Sequence, residues 1–326
     1  MRFLCFLITL LFPSVLGAEC GGIDLRSTLS APEKVEINAR LEGVPFAVGN
    51  HWKATKNGRV IHLIGTMHID DPRMDPVAKR LEEVIKAADL VLVEASLEDQ
   101  QRLQTEIATN PSLAFLTGKT LIDLMPEDDW EALVTAAEAR GIPSFMAAKF
   151  QPWYLSLILS MSPCVLKKAA AGAKGLDHRL MEQAAAAQVP TGSLEHYTTV
   201  FSLFGPGSIE EQIDMLSVSI LPIAHSENAN ATLAEQYFEE AHMAALETSR
   251  VITRPLINLP AAEFDTLFDR FMALLVDQRN ASWMDVINEA QGDLIVVAAG
   301  ALHLGGEKGI LNLLAIQGYA LSRQKF

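Results

Sequence analysis

Two Gly-x-x-His segments near opposite ends of the chain carry residue types that could do chemistry. The first is Gly65–His68 and the second is Gly300–His303. Each directly follows an apolar run of the kind that forms a buried strand. A strand that ends at a glycine places the next side chains at the edge of its sheet. The two patterns therefore predict that His68 and His303 meet at one site.

Two carboxylates are expected beside these histidines. Glu94 and Glu195 each follow a short strand-like run. Imidazole nitrogens bind first-row divalent metals, and carboxylates complete a site for a harder ion such as Mn²⁺. We therefore predict a metal site formed by His68, Glu94 and His303. Glu195 would be a fourth ligand or the general base for a metal-bound water.

Each of these residues also has an ordinary structural interpretation. A histidine after a strand can cap the strand end through its ring nitrogens without binding a ligand. Arg279 could hold a substrate carboxylate in a bidentate fork, or form a surface or interface ion pair. A third Gly-x-x-His segment, Gly175–His178, opens a helix instead of closing a strand. The motif alone is therefore not specific, and the strand context carries the prediction.

The surrounding pattern predicts an α/β fold. Asn57-Gly58 between two strand-like runs is a strong hairpin signal. A helical repeat over residues 75–88 separates the first Gly-x-x-His segment from another short strand, and such a connection implies parallel strands. Residues 294–299 supply the last core strand. We predict a central, mostly parallel sheet built from both ends of the chain, with a large helical insertion at about 97–290.

Residues 1–18 have the pattern of a secretory signal peptide, with a positive start, an apolar stretch and small residues before residue 19. The apolar stretch is shorter than the roughly 20 residues that span a bilayer. We predict that the leader is removed. Residues 19–326 would then form a single domain without a stable membrane span, in the periplasm or the extracellular space.

An uncharged segment and two cysteines give further structural expectations. Residues 151–166 contain no charge, but their serines and Pro163 favour one buried helix over a membrane span. Cys20 and Cys164 are the cysteines that follow the leader. An even number of cysteines in an exported protein favours a disulfide between them, and the alternative is two unpaired thiols.

Charge and missing motifs exclude several classes of function. The chain has 26 Lys and Arg against 40 Asp and Glu, a formal net charge of −14, and no basic cluster longer than Lys167-Lys168. This charge argues against binding to nucleic acid or to an anionic membrane surface. The sequence lacks a His-Glu-x-x-His helix, a Gly-x-Ser-x-Gly elbow, a phosphate-binding glycine loop and a dinucleotide fingerprint.

Several segments together carry a family resemblance. They are Gly65-Thr-Met-His68, the strand ending in Glu94, Gly175-Leu-Asp177, Leu194-Glu195, Arg279-Asn280 with Trp283, Gly300-Ala-Leu-His303-Leu-Gly-Gly306, and Gly318-Tyr319. These segments, spread from about Trp52 to Arg323, resemble the TraB/PrgY/GumN family. The animal Tiki proteins, described as metal-dependent proteases, belong to the same superfamily.

The resemblance implies an α/β hydrolase-like site of two histidines and one or two glutamates that binds Mn²⁺ or Co²⁺ rather than Zn²⁺. The family's site residues match this sequence most directly at His68, Glu94 and His303. The match is weaker at Glu195, where the family usually continues with a small hydroxyl residue and an acidic-Gln pair. This chain has His196-Tyr-Thr-Thr199 there instead.

Three hypotheses about function follow from these features. The first is an exported, metal-dependent hydrolase of peptide or protein substrates, with Glu195 and Arg279 as catalytic residues. The second is a non-catalytic protein that binds a peptide, a metal or haem through the same histidines. The third is a metal-independent, esterase-like hydrolase with histidine as the general base. The sequence predicts no particular oligomeric state.

Overall fold

Six strands form one sheet in residues 20–205 and 207–326, which the computed structural model describes. The strands are β1 (His51–Lys56), β2 (Arg59–Thr66), β3 (Leu90–Val93), β4 (Thr191–Ser193), β5 (Leu294–Gly300) and β6 (Ala320–Arg323). The predicted signal peptide at residues 1–18 lies outside the described residues.

The strand order brings the two ends of the chain together. The order is β4-β3-β5-β2-β1-β6. β2, β3, β4 and β5 run parallel, whereas β1 is antiparallel to both β2 and β6. The neighbours β2 and β5 come from opposite ends of the chain. The predicted α/β class and the mostly parallel sheet built from both ends are therefore confirmed.

β1 and β2 form the hairpin that the Asn-Gly pair predicts. Asn57 and Gly58 both have a positive φ, 51° and 86°. A two-residue type I′ turn requires positive φ at both central positions, and asparagine and glycine adopt it most readily. Lys56 pairs with Arg59 across the turn.

The described residues contain sixteen α-helices, and most of these helices lie in the insertion. They are α1 (Ala31–Leu41), α2 (Met74–Ala87), α3 (Leu97–Thr109), α4 (Leu121–Leu124), α5 (Glu127–Glu138), α6 (Ser144–Ala147), α7 (Pro152–Leu159), α8 (Pro163–Ala170), α9 (Leu176–Ala186), α10 (Thr199–Phe204), α11 (Ile209–Ser219), α12 (Ile223–Phe238), α13 (His242–Thr253), α14 (Ala261–Met272), α15 (Gln278–Glu289) and α16 (Ile310–Ile316). A five-residue π-helix, Ala273–Asp277, joins α14 to α15.

The prediction of one buried helix over residues 151–166 is wrong. The segment forms α7 and the start of α8, with a break between Leu159 and Pro163. Proline cannot donate the backbone hydrogen bond that would continue α7, but it suits the first turn of a new helix. The Ser162 side chain caps that turn by accepting the N–H of Val165. Within the described ranges, no helix is long and apolar enough to cross a membrane.

Both faces of the sheet are buried. In β5, Val296 and Ala298 join an apolar cluster with side chains of α2, α9 and α12. Ile295 and Val297 point to the opposite face and join a cluster with side chains of α15 and α16. Successive strand residues alternate between faces, and a parallel sheet covered by helices on both sides needs apolar residues at both.

The insertion has an apolar cluster of its own. Side chains of α4, α5, α7 and α11 meet around the fully buried Leu121, Leu133, Leu155 and Leu216. This cluster is separate from the two clusters that contact the sheet.

The described N-terminal segment is attached to the insertion. Cys20 and Cys164 lie at disulfide-bonding distance, with their Cα atoms 5.6 Å apart, as predicted. Farther along, the N–H of Ile23 donates to the Asn228 side chain of α12, and the N–H of Leu25 donates to Thr232.

We predict that Cys164→Ser lowers the free energy of unfolding by about 2–4 kcal/mol. The crosslink joins residues 144 positions apart and so restricts the unfolded chain strongly. Urea denaturation of the oxidised wild type and the variant measures this difference. The reduced wild type should match the variant, and an unchanged urea midpoint on reduction would contradict the prediction.

Candidate functional site

The predicted site residues lie at one edge of the sheet. His68 follows β2, Glu94 follows β3, Glu195 follows β4 and His303 follows β5. Because these four strands are parallel, their carboxyl ends share one edge, which is where open α/β sheets bind ligands. Arg279 reaches this edge from α15 and forms ion pairs with Glu94 and Glu195.

Gly65 allows the two Gly-x-x-His segments to contact each other. A Cβ atom at this position would lie 3.0 Å from the Cα and Cβ of Ala301 and from Cδ1 of Leu304. The Gly65 backbone is held on both sides, since its N–H donates to the carbonyl of Asn50 and its carbonyl accepts the Tyr237 hydroxyl. The end of β2 and the turn after β5 are therefore in direct contact.

Asn280 selects one tautomer of His303. Nδ1 of His303 lies 2.6 Å from Oδ1 of Asn280. The amide nitrogen of Asn280 donates to the carbonyls of His303 and Lys308, which fixes the orientation of the amide group. Nδ1 therefore carries the proton, and Nε2 keeps a lone pair. Nε2 lies 3.4 Å from Nη1 of Arg279 and 4.0 Å from Oε1 of Glu94. Burial lowers the pKa of His303 to about 4, so the ring is neutral at physiological pH.

Asp177 orients His68. Nδ1 of His68 lies 3.2 Å from Oδ2 of Asp177, and the same oxygen lies 3.0 Å from Nδ1 of His178. This arrangement engages Nδ1 of His68 and leaves Nε2 available, but Nε2 must lose its proton to bind a metal when the ring is charged. The hydrogen bond with Asp177 raises the pKa of His68 above its ordinary value. Because 66% of the His68 side chain is exposed, solvent screens part of this ion pair.

The third Gly-x-x-His segment packs against the first. A Cβ atom on Gly175 would come within 2.6 Å of the Cα of His68 and even closer to the carbonyl oxygen of Met67. The next residue, Leu176, donates its N–H to that same carbonyl. This segment opens α9, as expected, and it also delivers Asp177 to the site.

Arg279 is the positive centre of the site. Its Nε and Nη2 donate to the two oxygens of Glu195 at 2.8 Å each, and Nη2 also donates to Oε2 of Glu94 at 2.6 Å. The guanidinium lies over the Trp283 ring, and the indole N–H of Trp283 donates to Glu195. Of the two alternatives that the sequence left open for Arg279, a substrate carboxylate or an ion pair, the bidentate fork forms an ion pair with Glu195 in this structure.

Glu94 is an ionised carboxylate at neutral pH. Its Oε1 accepts the N–H of Gly300 at 2.7 Å, and its Oε2 accepts from Arg279. Burial raises the pKa of Glu94, but the charges of Arg279 and of the protonated forms of His303 and His68, together with the Gly300 hydrogen bond, outweigh burial and lower the pKa to about 2.

A π-helical segment leads directly into Arg279. The carbonyl of Leu275, within Ala273–Asp277, accepts from Nη1 of Arg279 at 3.1 Å. Single π-helical turns inside α-helices recur at functional sites. α15 continues from this segment and directs Arg279, Asn280 and Trp283 toward the sheet edge, where they contact Glu195 and His303.

The donor atoms are of the types that bind a divalent metal. His68 and His303 each have Nδ1 held by a side-chain oxygen, an arrangement that presents Nε2 to a metal, and Glu94 supplies a carboxylate. The ligand atoms of the three residues are not all within 4.8 Å of one another in the described structure. Since Arg279 contacts both Glu94 and His303, binding of one ion by all three requires their side chains to move together.

Three further residues have direct roles in this geometry. Asp177 and Asn280 hold the two histidines, and Trp283 holds Glu195. All three lie in the segments that carry the family resemblance, but the sequence analysis predicted no role in the site for any of them. For Asp177 a signal was present, because it lies inside the third Gly-x-x-His segment.

The fold and the site define an α/β protein with a histidine, glutamate and arginine cluster at the carboxyl edge of a parallel sheet. The chain belongs to the TraB/PrgY/gumN family, whose family model matches residues 50–323. It is 26% identical over 280 residues to Uncharacterized protein YbaP of Escherichia coli (strain K12), with coverage of 82% of this chain and 94% of the relative. The protein of the same name from Shigella flexneri matches with the same identity and coverage. The family expected from the motifs is confirmed.

We predict that Gly175→Ala lowers the free energy of unfolding by about 1–3 kcal/mol, because the added methyl group overlaps the backbone at Met67 and His68. Urea denaturation measures the loss. The matched control is Gly21→Ala, where a Cβ atom has no neighbour within 4 Å, and it should change stability by less than about 0.5 kcal/mol. Equal stabilities of the two variants would show that the close approach at Gly175 is unimportant.

Arg279→Met should lower the free energy of unfolding by about 3–5 kcal/mol at neutral pH, because it removes the cation that contacts two mostly buried carboxylates. Adding Glu195→Gln to this variant should recover part of the loss, since one of those charges is removed. Arg102→Met, which removes an exposed ion pair with Glu98, is the control and should cost no more than about 1 kcal/mol. If the double variant Arg279→Met/Glu195→Gln were less stable than Arg279→Met, the unpaired charge of Glu195 would not be the cause of the loss.

Proposed function

We propose that this protein is a divalent-metal-dependent hydrolase with His68, Glu94 and His303 as its metal ligands. One observation carries the proposal. Both histidines have Nδ1 engaged by a side-chain oxygen, at Asp177 and at Asn280, so that each can offer Nε2 to the same sheet edge. A ligand set of two imidazoles and one carboxylate suits a first-row divalent ion. The family resemblance favours Mn²⁺ or Co²⁺ over Zn²⁺.

The chain's own residues would share the remaining tasks. The metal, when bound, supplies a Lewis acid that activates water for attack on a carbonyl group. Arg279 would orient the substrate or stabilise negative charge that develops on the carbonyl oxygen. Glu195 holds Arg279 through both of its oxygens, so its proposed second task, proton transfer, requires that one of these hydrogen bonds be released.

Peptides are the substrate class that we propose. The support is the resemblance to a superfamily that includes the Tiki proteins, described as metal-dependent proteases. The site is accessible from solvent at His68, whose side chain is 66% exposed, whereas that of His303 is 6% exposed. A peptide could therefore approach from the His68 side.

We also propose that the protein is exported to the periplasm or the extracellular space. Two features support this location. Residues 1–18 have the pattern of a signal peptide. Cys20 and Cys164 lie at disulfide-bonding distance, and such bonds persist in oxidising compartments.

A metal-independent hydrolase is the second candidate. It is favoured by the ion pairs of Arg279, which already give Glu94 and Glu195 a positive partner. In this alternative the neutral His303 would act as the general base, because its Nε2 carries a lone pair. Arg279 would then be the cation that contacts that nitrogen.

The test combines metal binding with peptide cleavage by untagged protein. We expect calorimetry to show one Mn²⁺ site per chain, and mass spectrometry to show cleavage of a peptide library that stops when a chelator is added. His303→Ala should abolish both. Asp177→Asn should weaken Mn²⁺ binding by about 10–100-fold, because it disturbs the residue that orients a ligand. His62→Ala, which changes a histidine outside the site, should bind Mn²⁺ normally.

Each other result contradicts the proposal in a defined way. Cleavage that persists with chelator and depends on His303 favours the metal-independent hydrolase. Mn²⁺ binding without any difference in cleavage between wild type and His303→Ala favours a non-catalytic binding protein. Equal Mn²⁺ affinity of wild type and His303→Ala would show that His303 is not a metal ligand and would overturn the proposed metal site.

A further inference from the structure

A groove of about 500 Å³ lies on the helical insertion, between α4, α5 and α6. We name it the α5 groove. Its lining residues are Ile122, Trp130, Glu131, Val134, Ser144 and Phe145. Four of these six side chains are apolar, and the volume is within the range of sites that bind small ligands or single side chains.

The α5 groove exposes large apolar side chains over a well-packed base. Phe145 is 69% exposed and Ile122 is 56% exposed. Beneath them, Leu121 and Leu133 are completely buried in the apolar cluster of the insertion. Exposed apolar surface on a firm, concave base is typical of a contact site for another molecule.

The segment that forms the α5 groove is acidic. Residues 119–149 contain six acidic and three basic residues, a net charge of −3. Glu127, Asp128 and Asp129 form the first turn of α5, and Glu131 lines the groove itself. Of the three bases, Arg140 is turned inward and donates to backbone carbonyls.

We propose that the α5 groove binds a peptide segment of another protein that presents a large apolar side chain, Leu or Phe, flanked by Lys or Arg. The apolar side chain would cover Phe145 and Trp130, and the flanking bases would pair with the first turn of α5. Charge complementarity determines this choice of partner. The proposal does not depend on the proposed hydrolase activity, because the α5 groove packs on an apolar cluster separate from the sheet.

A second copy of this chain is a poorer occupant. The chain carries a formal net charge of −14, and two such acidic segments placed face to face would repel each other. A basic, apolar peptide meets no such penalty.

Fluorescence anisotropy with synthetic peptides tests the proposal. The probe is a fluorescein-labelled peptide with Leu and Phe between lysines. The two comparison peptides replace either the lysines by Glu or the apolar residues by Ala. We expect the full-length protein to bind only the first peptide, and more weakly as NaCl rises. Phe145→Glu should weaken binding at least about tenfold, as for loss of a central aromatic contact. Glu131→Lys should weaken it and reduce its salt dependence.

The control variant is Ile316→Glu, which changes a side chain that is 74% exposed on α16 and should bind the probe like wild type. The urea midpoint of Phe145→Glu should equal that of wild type, since Phe145 is largely exposed. Absence of binding by wild type, or equal binding by wild type and Phe145→Glu, overturns the proposal. A wild-type dimer in light scattering that Phe145→Glu converts to a monomer would instead identify a second copy as the occupant.

Discussion

The parallel pairing of β2 with β5 determines where the site can form. Seven residues of β2 pair with seven of β5, ending at Thr66 opposite Gly300. Both Gly-x-x-His segments therefore leave the sheet at the same level, from adjacent strands, although more than two hundred residues separate them in the chain. Gly65 lies against Ala301, so a side chain there would force the two turns apart. β3 and β4 extend the same parallel edge and place Glu94 and Glu195 beside the histidines.

Charge balance is the second constraint on this edge. Glu94 and Glu195 are mostly buried, and the guanidinium of Arg279 is the cation that contacts both. Removal of carboxylates from water is unfavourable unless a positive partner and hydrogen bonds replace the solvent. The π-helical turn before α15 and the ring of Trp283 help to keep Arg279 between them. A metal ion would bring further positive charge to the same carboxylates, so its binding must be coupled to the position of Arg279.

Much of this arrangement was predictable from local patterns. Apolar runs, an Asn-Gly turn and a helical repeat predicted the α/β class and the strands that deliver His68 and His303. Local patterns failed where long-range packing decides the outcome. Gly175 contacts the first Gly-x-x-His segment, and His68 donates a hydrogen bond to Asp177. Both contacts join positions more than a hundred residues apart. The partner of Arg279 stayed open between a substrate carboxylate and an ion pair, because no sequence pattern shows which carboxylate a helix will meet.

The central claim is that one divalent ion is shared by both histidines and Glu94 at the carboxyl edge of the sheet. Anomalous X-ray diffraction from a crystal soaked in Mn²⁺ tests it most directly. We expect a single strong peak at bonding distance from Nε2 of His68, Nε2 of His303 and a carboxylate oxygen of Glu94, with Arg279 displaced toward Glu195. No peak at this edge, or a peak held by only one of the two histidines while Arg279 stays against Glu94, would contradict it.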